Sequence, residues 1–126
     1  MKVTETDLPE VKLVEPQVYG DERGWFLETW REESYCDHGI GPAFVQANCS
    51  QSTRGVLRGL HYQWPEPQGK LVWVTHGRVF DVAVDIRPGS SHFGRWTGVE
   101  LDAESHRQLW IPEAFAHGFQ VLSDAA

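Results

Sequence analysis

Residues 70–86 read KLVWVTHGRVFDVAVDI, and this stretch indicates β-structure more clearly than any other part of the chain. Residues 70–75 and 78–86 are rich in β-branched and aromatic side chains, which is typical of strands. The pair His76-Gly77 between the two runs predicts a tight hairpin.

Alternation along the second run separates its acidic residues from its apolar ones. Asp81 and Asp85 fall on one face of the predicted strand, and Phe80, Val82 and Val84 fall on the other. The acidic face lines either solvent or a cavity. Because Asp85 adjoins a turn, we expect it at the solvent, whereas Asp81 fits both environments equally well.

Short runs with the same character recur along the chain and are separated by turns. Strands are predicted at residues 11–14, 17–19, 25–28, 44–48, 55–62, 96–101, 108–111 and 118–122. The only predicted helix covers residues 30–36, and Gly39, Gly41 and Pro42 end it. Many short strands without helical alternation predict an all-β sandwich or barrel with one short helix, in a single domain over residues 1–126.

The composition limits the classes of function. The chain has 126 residues and a net charge of −7. This charge argues against general binding to nucleic acid or to a membrane surface. It is compatible with an anionic small ligand, because a pocket needs only a few local cations.

The sequence also bears on the cellular compartment. No apolar run approaches the length of a membrane span, and the acidic segment from Met1 to Pro9 lacks the features of a signal peptide. We therefore expect a cytoplasmic protein. Cys36 and Cys49 show neither C-x-x-C nor zinc-site spacing, so we expect two free buried thiols, with one disulfide as the alternative.

One histidine is the first chemical candidate. His61 lies in the run Arg58-Gly59-Leu60-His61-Tyr62-Gln63, which Gly69-Lys70 follows. A neutral imidazole can remove a proton near pH 7, and a neighbouring cation can hold the resulting oxyanion. In a regular strand Arg58 and His61 would point to opposite faces, so one pocket can hold both only if a bulge intervenes, for which Gly59 is the natural place. An ordinary core or surface histidine is the competing interpretation.

A second histidine, His117, lies among apolar residues and needs a polar partner if it is buried. It is a candidate to meet His61 across a barrel. A metal site ranks lower, because Gln63 stands two positions after His61 and Glu66 lies in a proline-bounded loop. A metal-dependent site built on the two histidines is the alternative.

Six motifs occur in order along the chain. They are Asp21-Glu22-Arg23-Gly24-x-Phe26-x-Glu28, Gln46-x-Asn48-x-Ser50, GVLRGLHYQ at residues 55–63, Gly69-Lys70-Leu71-Val72, Asp81-Val82-Ala83-Val84-Asp85 and Ile111-Pro112-x-x-Phe115-Ala116-His117-Gly118-Phe119. The ordered set closely resembles the dTDP-4-dehydrorhamnose 3,5-epimerase family of cupin-fold nucleotide-sugar epimerases, over nearly the whole chain from about Val11 onward.

The resemblance implies a fold and a reaction. The fold would be a cupin-like double-stranded β-helix (jelly roll), commonly dimeric, with an N-terminal strand exchanged or shared at the interface. The reaction would be epimerisation of dTDP-4-dehydro-6-deoxy-glucose at C3 and C5, beside the C4 ketone, in dTDP-L-rhamnose biosynthesis. It implies no metal and no other cofactor, and the expected partners are the dTDP-sugar substrate and a second copy of the chain.

The resemblance also assigns roles to residues. His61 matches the catalytic base, and Lys70 matches a cation near the ketone oxygen that stabilises the enolate. Arg23 and Arg58 match contacts to the diphosphate and the sugar. The further positions that match substrate contacts are Phe26, Glu28, Gln46, Asn48 and His117.

The chain departs from the family pattern in two places. Ala114 stands where the family usually has glycine, and a methyl group is tolerable there unless the backbone needs a positive φ. The sequence stops at Ala126, so we expect a jelly roll that is incomplete at the C-terminus, with the proton-donating tyrosine and the acidic residue that orients the base in a continuation. Tyr19 and Tyr62 lie outside the matching motif, and Asp81 is a candidate to orient the base. The alternative to an active epimerase is an inactive nucleotide-sugar binding module.

Overall fold

The computed structural model describes residues 1–42 and 44–126, within which there are ten strands and one helix. The strands are β1 (Lys2–Glu5), β2 (Lys12–Glu15), β3 (Val18–Asp21), β4 (Gly24–Leu27), β5 (Leu57–His61), β6 (Lys70–Trp73), β7 (Arg78–Asp85), β8 (Trp96–Asp102), β9 (Gln108–Ile111) and β10 (Phe115–Val121). The helix α1 (Glu32–Cys36) lies between β4 and β5. The predicted all-β class with one short helix is confirmed.

Two four-stranded antiparallel sheets pack against each other. The first has the strand order β1-β2-β9-β6 and the second the order β5-β10-β7-β8, while β3 and β4 form a separate two-stranded hairpin. Leu109 and Ile111 of the first sheet are buried in one cluster with Ala83, Leu101 and Phe115 of the second. This common core defines the inner face of each sheet, and each large apolar side chain buried there stabilises the fold by about 1.5–3 kcal/mol.

The helix α1 covers the outer face of the first sheet. Glu32 and Glu33 in its first turn interact favourably with the helix dipole, and the chain leaves the helix through Gly39 at a φ of 69°. Tyr35 is buried, and its hydroxyl donates a hydrogen bond to Oε1 of Gln108 in β9 at 2.8 Å. The helix predicted at residues 30–36 is confirmed apart from its first two residues.

The predicted hairpin at His76-Gly77 is wrong. β6 pairs with β9 in the first sheet, whereas β7 pairs with β8 and β10 in the second. Residues 74–77 therefore carry the chain from the first sheet to the second. β6 and β7 each bury one face in the common core between the sheets. Gly77 has a φ of 72° and packs against the backbone carbonyl of Ala125, which leaves no room for a side chain.

The strand predicted at residues 44–48 is also wrong. Phe44 packs edge-on against Trp110, but Val45 is fully exposed, and residues 44–50 pair with no strand in the part of the chain described here. Alternation predicted a strand that has no neighbour to complete its hydrogen bonds. The structure also adds β1 in the acidic N-terminal segment and starts β10 at Phe115 instead of residue 118.

The expectation that Asp85 lies at the solvent is wrong as well. Asp85 is fully buried, and its carboxylate accepts hydrogen bonds from Arg87 Nη2 at 2.7 Å and from Ser90 Oγ at 2.6 Å. The Arg87 guanidinium holds the pKa of Asp85 well below its usual range. The acidic face of β7 is thus its interior face, because an ion pair offsets the cost of burying the carboxylate.

Candidate active site

A bulge in β5 brings two of the predicted site residues to one face. In the antiparallel register with β10, His61 pairs with His117 and Arg58 pairs with Phe119, so three steps along β5 oppose two steps along β10. Gly59 lies in this bulge with a φ of 129°, and a Cβ there would lie 2.6 Å from the backbone of β10. The predicted bulge at Gly59 is confirmed, and directly paired residues share a face of the sheet.

This face is the inner face of the second sheet. Through β10, His117 pairs with Ala83 of β7, and Phe119 pairs with Asp81. Because Ala83 lies in the common core, the side chains on this face point between the two sheets. His61 and His117 are therefore neighbours on adjacent strands, and the expectation that they meet across a barrel is wrong.

His117 has a buried acidic partner. Its Nε2 lies 2.9 and 3.0 Å from the two carboxylate oxygens of Asp81, which is fully buried. Burial raises the pKa of Asp81, and the hydrogen bond from His117 acts in the opposite direction. Asp81, a candidate to orient the base His61, is instead hydrogen-bonded to His117. The alternation of β7, which places Asp81 on the same face as Ala83, is the sequence signal that could have identified this buried carboxylate.

Lys70 approaches the same interior from the other sheet. It pairs with Ile111 of β9, whose side chain lies in the common core, so Lys70 is on the inner face of β6. Its ammonium group donates to the carbonyl of Gln68 at 3.4 Å, and partial burial lowers its pKa. A half-buried cation across from an imidazole suits proton removal beside a carbonyl, because the cation can hold the oxyanion that develops.

A cleft of about 240 Å³ adjoins this interior. Asn48, Trp73, Asp81 and Phe119 are among the residues that line it. Gln46 donates from Nε2 to Oδ1 of Asn48 at 3.2 Å. Asn48 therefore shares the cleft with Asp81, whereas Gln46 is connected to the cleft only through Asn48, and both amides lie in a loop and not on a strand.

The other predicted substrate contacts lie on or beside the β3–β4 hairpin. Arg23 is paired with Asp21 of the same hairpin, and Glu28 is paired with Arg31 at 2.8 Å. Phe26 is 69% exposed. None of the contacts made by these three residues in the described part of the chain brings them to the inner face of either sheet.

Three further expectations concern cysteines, metals and membranes. Cys36 and Cys49 are free, as expected, but both are exposed and not buried. In residues 1–42 and 44–126, no three His, Cys, Asp or Glu side chains come together as a ligand set for a metal ion. Over the same residues, the only helix has five residues, too few to cross a membrane.

A sequence model described as dTDP-4-dehydrorhamnose 3,5-epimerase matches residues 5–126. The chain belongs to the dTDP-4-dehydrorhamnose 3,5-epimerase family. The resemblance of the six ordered motifs is thus confirmed over almost the whole chain.

Two curated members of the family show how much of the chain is shared. The dTDP-4-dehydrorhamnose 3,5-epimerase of Shigella flexneri is 57% identical over 129 residues, which cover 100% of this chain and 71% of that protein. The protein of the same name from Neisseria gonorrhoeae is 56% identical over 126 residues, which cover 100% of this chain and 38% of that protein. The chain therefore spans between 38% and 71% of the length of these two relatives.

Two solved structures of the family match the fold. The dTDP-6-deoxy-D-glucose-3,5-epimerase of Legionella pneumophila, in complex with dTDP-4-keto-L-rhamnose, has a TM-score of 0.95 at 55% identity and matches over 98% of this chain and 66% of its own. The dTDP-4-dehydrorhamnose 3,5-epimerase of Bacillus anthracis, with TDP and PPi bound, has a TM-score of 0.94 at 43% identity over 98% of this chain and 72% of its own. The cupin-like fold expected for this epimerase family is confirmed.

Proposed function

We propose that this member of the family inverts C3 and C5 of dTDP-4-dehydro-6-deoxy-glucose by removing and returning protons beside the C4 ketone, as a step of dTDP-L-rhamnose biosynthesis. The observation that carries the proposal is the placement of an imidazole and an ammonium group on facing inner surfaces, with His61 on the second sheet and Lys70 on the first. The name of the Legionella pneumophila relative, a 3,5-epimerase, supports the same chemistry.

His61 acts as the base in this proposal. It takes the proton from the carbon next to the ketone, the electron pair of the broken C–H bond forms the C=C bond of an enolate, and the negative charge collects on the C4 oxygen. Protonated Lys70 stabilises that oxyanion. Inversion follows when an acid returns a proton to the opposite face of the carbon, a role that the family resemblance gives to a tyrosine in a motif that contains neither Tyr19 nor Tyr62.

Polar side chains around this pair bind the nucleotide sugar. Arg58 shares the inner face with His61, and its guanidinium can hold a diphosphate through two parallel hydrogen bonds. His117, held by Asp81, and Asn48 with Gln46 at the cleft donate or accept hydrogen bonds to the rest of the substrate. The TDP and PPi in the Bacillus anthracis structure support an anionic, thymidine-containing ligand.

A second copy of the chain completes the site in this proposal. The β3–β4 hairpin exposes Tyr19 and Trp25 by 62% and 63%, and such apolar exposure on one element favours an interface. In a homodimer of single-domain copies (residues 1–126), this hairpin would bring Arg23, Phe26 and Glu28 to the site of the other copy. We place the dimer in the cytoplasm, which agrees with the two free, exposed cysteine thiols.

Proton exchange with solvent tests the reaction separately from inversion. The chain is incubated with dTDP-4-dehydro-6-deoxy-glucose in deuterated water, and the C3 and C5 protons are followed by NMR. We expect deuterium at both positions, because the base and the cation suffice for exchange. Tight binding of the nucleotide sugar without any exchange would identify a binding module instead.

A further inference from the structure

Ser52 is a buried polar residue that touches Arg58. Ser52 is only 7% exposed, and its Oγ accepts a hydrogen bond from Nε of Arg58 at 2.9 Å. Ser52 is not among the proposed substrate-binding residues, whereas Arg58 binds the diphosphate in the proposed function. The contact therefore links the site to a residue with no role of its own in the reaction.

The backbone holds Ser52 firmly in place. Its amide donates to the carbonyl of Ala126 at 2.8 Å, and the amide of Ala126 donates back to the carbonyl of Ser52 at 3.0 Å. Thr53 forms an antiparallel bridge with Ala125, and the amide of Arg54 donates to the carbonyl of Asp124 at 2.9 Å. Because three successive residues are tied to the chain beyond β10, the Ser52 hydroxyl is a fixed acceptor.

Arg58 keeps its other donors free. A guanidinium has five N–H donors, of which Ser52 engages only the one on Nε. Six other arginines each have a carboxylate oxygen within 4.0 Å, namely Arg23, Arg31, Arg54, Arg78, Arg87 and Arg107. Among the described residues no such pair involves Arg58. Its two terminal amino groups are thus available for an anion from outside the chain.

We infer that Ser52 is a positioning residue: it fixes the Arg58 guanidinium so that the two terminal amino groups face the diphosphate of the nucleotide sugar. The inference rests on the proposed function, since it takes the diphosphate as the ligand of Arg58. With Nε bound to Ser52, the guanidinium cannot turn its Nε edge towards the ligand. The diphosphate then contacts the two terminal amino groups, which can donate two parallel hydrogen bonds.

The expected effect falls on binding and not on proton transfer. Ser52→Ala should weaken dTDP binding about tenfold and raise KM similarly, because Arg58 loses its orientation. The value of kcat should change little, since His61 and Lys70 keep their places. Ser52→Thr retains the hydroxyl and should restore affinity, while Thr53→Ala serves as a control for the same backbone segment.

A double-mutant cycle separates positioning from a general structural role. Lysine has no Nε–H fork to orient, so adding Ser52→Ala to Arg58→Lys should leave the dTDP affinity unchanged. Calorimetric titration with dTDP gives the four affinities, and the Arg58 Nε–H resonance in ¹⁵N NMR reports the contact itself. Additive losses in the cycle, or an Nε–H resonance that Ser52→Ala leaves unmoved, would overturn the inference. If the wild-type chain binds no dTDP, both the proposed function and the binding role of Ser52 fail, whereas equal binding by wild type and Ser52→Ala overturns the inference alone.

Discussion

His61 and His117 form a directly opposed pair on β5 and β10, and Asp81 binds the ring of His117. The side chain of His117 is only 12% exposed, while His61 lies on a strand whose five residues are all exposed. The two imidazoles share a face of the sheet, but His117 is mostly buried and hydrogen-bonded whereas His61 is exposed. His117 is suited to fix an orientation, and His61 is suited to meet a substrate and exchange a proton with it.

The first prediction concerns the bulge that brings Arg58 and His61 together. Gly59→Ala should lower the rate of solvent exchange about 100-fold, because its Cβ would lie 2.6 Å from the backbone of β10 and displace both side chains. Gly55→Ala is the matched control: Gly55 also has a positive φ of 79°, but a Cβ there meets open space. Exchange rates measured by NMR should separate the two variants, and equal losses would contradict a specific role for the bulge.

The second prediction concerns the charge on Lys70. Partial burial lowers the pKa of Lys70 below the ordinary lysine value of 10.5, and only the protonated form stabilises the oxyanion. The exchange rate should therefore fall as the pH rises through this lowered pKa, at a pH below 10.5. In Lys70→Arg the alkaline fall should disappear, with a lower plateau, since arginine stays charged but fits differently. If the rate of Lys70→Arg still falls at alkaline pH, the fall arises from a group other than Lys70. Lys2→Ala is the control for the loss of a surface lysine.

The third prediction concerns Ala114, which stands where the family usually has glycine. Ala114 has a φ of 61°, and at a positive φ the methyl group of alanine is unfavourable. Ala114→Gly should raise the free energy of unfolding by about 1 kcal/mol. Ala116→Gly, two residues later in the buried strand β10, should lower it. Urea unfolding of the two variants checks both signs.

The fourth prediction concerns the buried ion pair of Asp85 and Arg87. Asp85→Asn should lower the free energy of unfolding by about 2 kcal/mol at pH 7, because it removes the buried partner of Arg87, whose guanidinium keeps its ion pair with Glu10. The folded-state pKa of Asp85 is depressed, so its contribution is complete above the unfolded value of 3.8 and is lost as the pH falls below it. The difference between wild type and variant should therefore shrink in acid. Asp124→Asn, at an exposed ion pair, should cost under about 1 kcal/mol, and a pH-independent difference for Asp85→Asn would contradict the assignment.

Features that depend on neighbouring residues in sequence were predicted well. The helix before Gly39, most strands and the bulge at Gly59 follow from local patterns, since glycine and alternation act over a few residues. His61 and Lys70 were singled out as candidates because their motifs are local too, and the structure places them on facing inner surfaces.

Features that depend on distant partners were not predicted. The turn at His76-Gly77 joins two sheets because β6 pairs with β9, which lies more than 30 residues away in sequence. Asp85 lies beside Phe115 of β10 in the second sheet, and its partner Arg87 also binds Glu10 of the N-terminal segment. Asp81 is hydrogen-bonded to His117 on the adjacent strand, 36 residues further along the chain. Alternation assigns a side chain to a face, but packing decides which face is the interior.

Solvent-deuterium exchange of the dTDP-sugar, with each of the paired histidines replaced in turn, decides which imidazole is the base. His61→Asn should slow exchange at C3 and C5 by about 10²–10⁴-fold, because it removes the group that takes the proton. His117→Asn should keep measurable exchange with weaker substrate binding. Unchanged exchange in His61→Asn, or complete loss in His117→Asn alone, would contradict the assignment of His61 as the base.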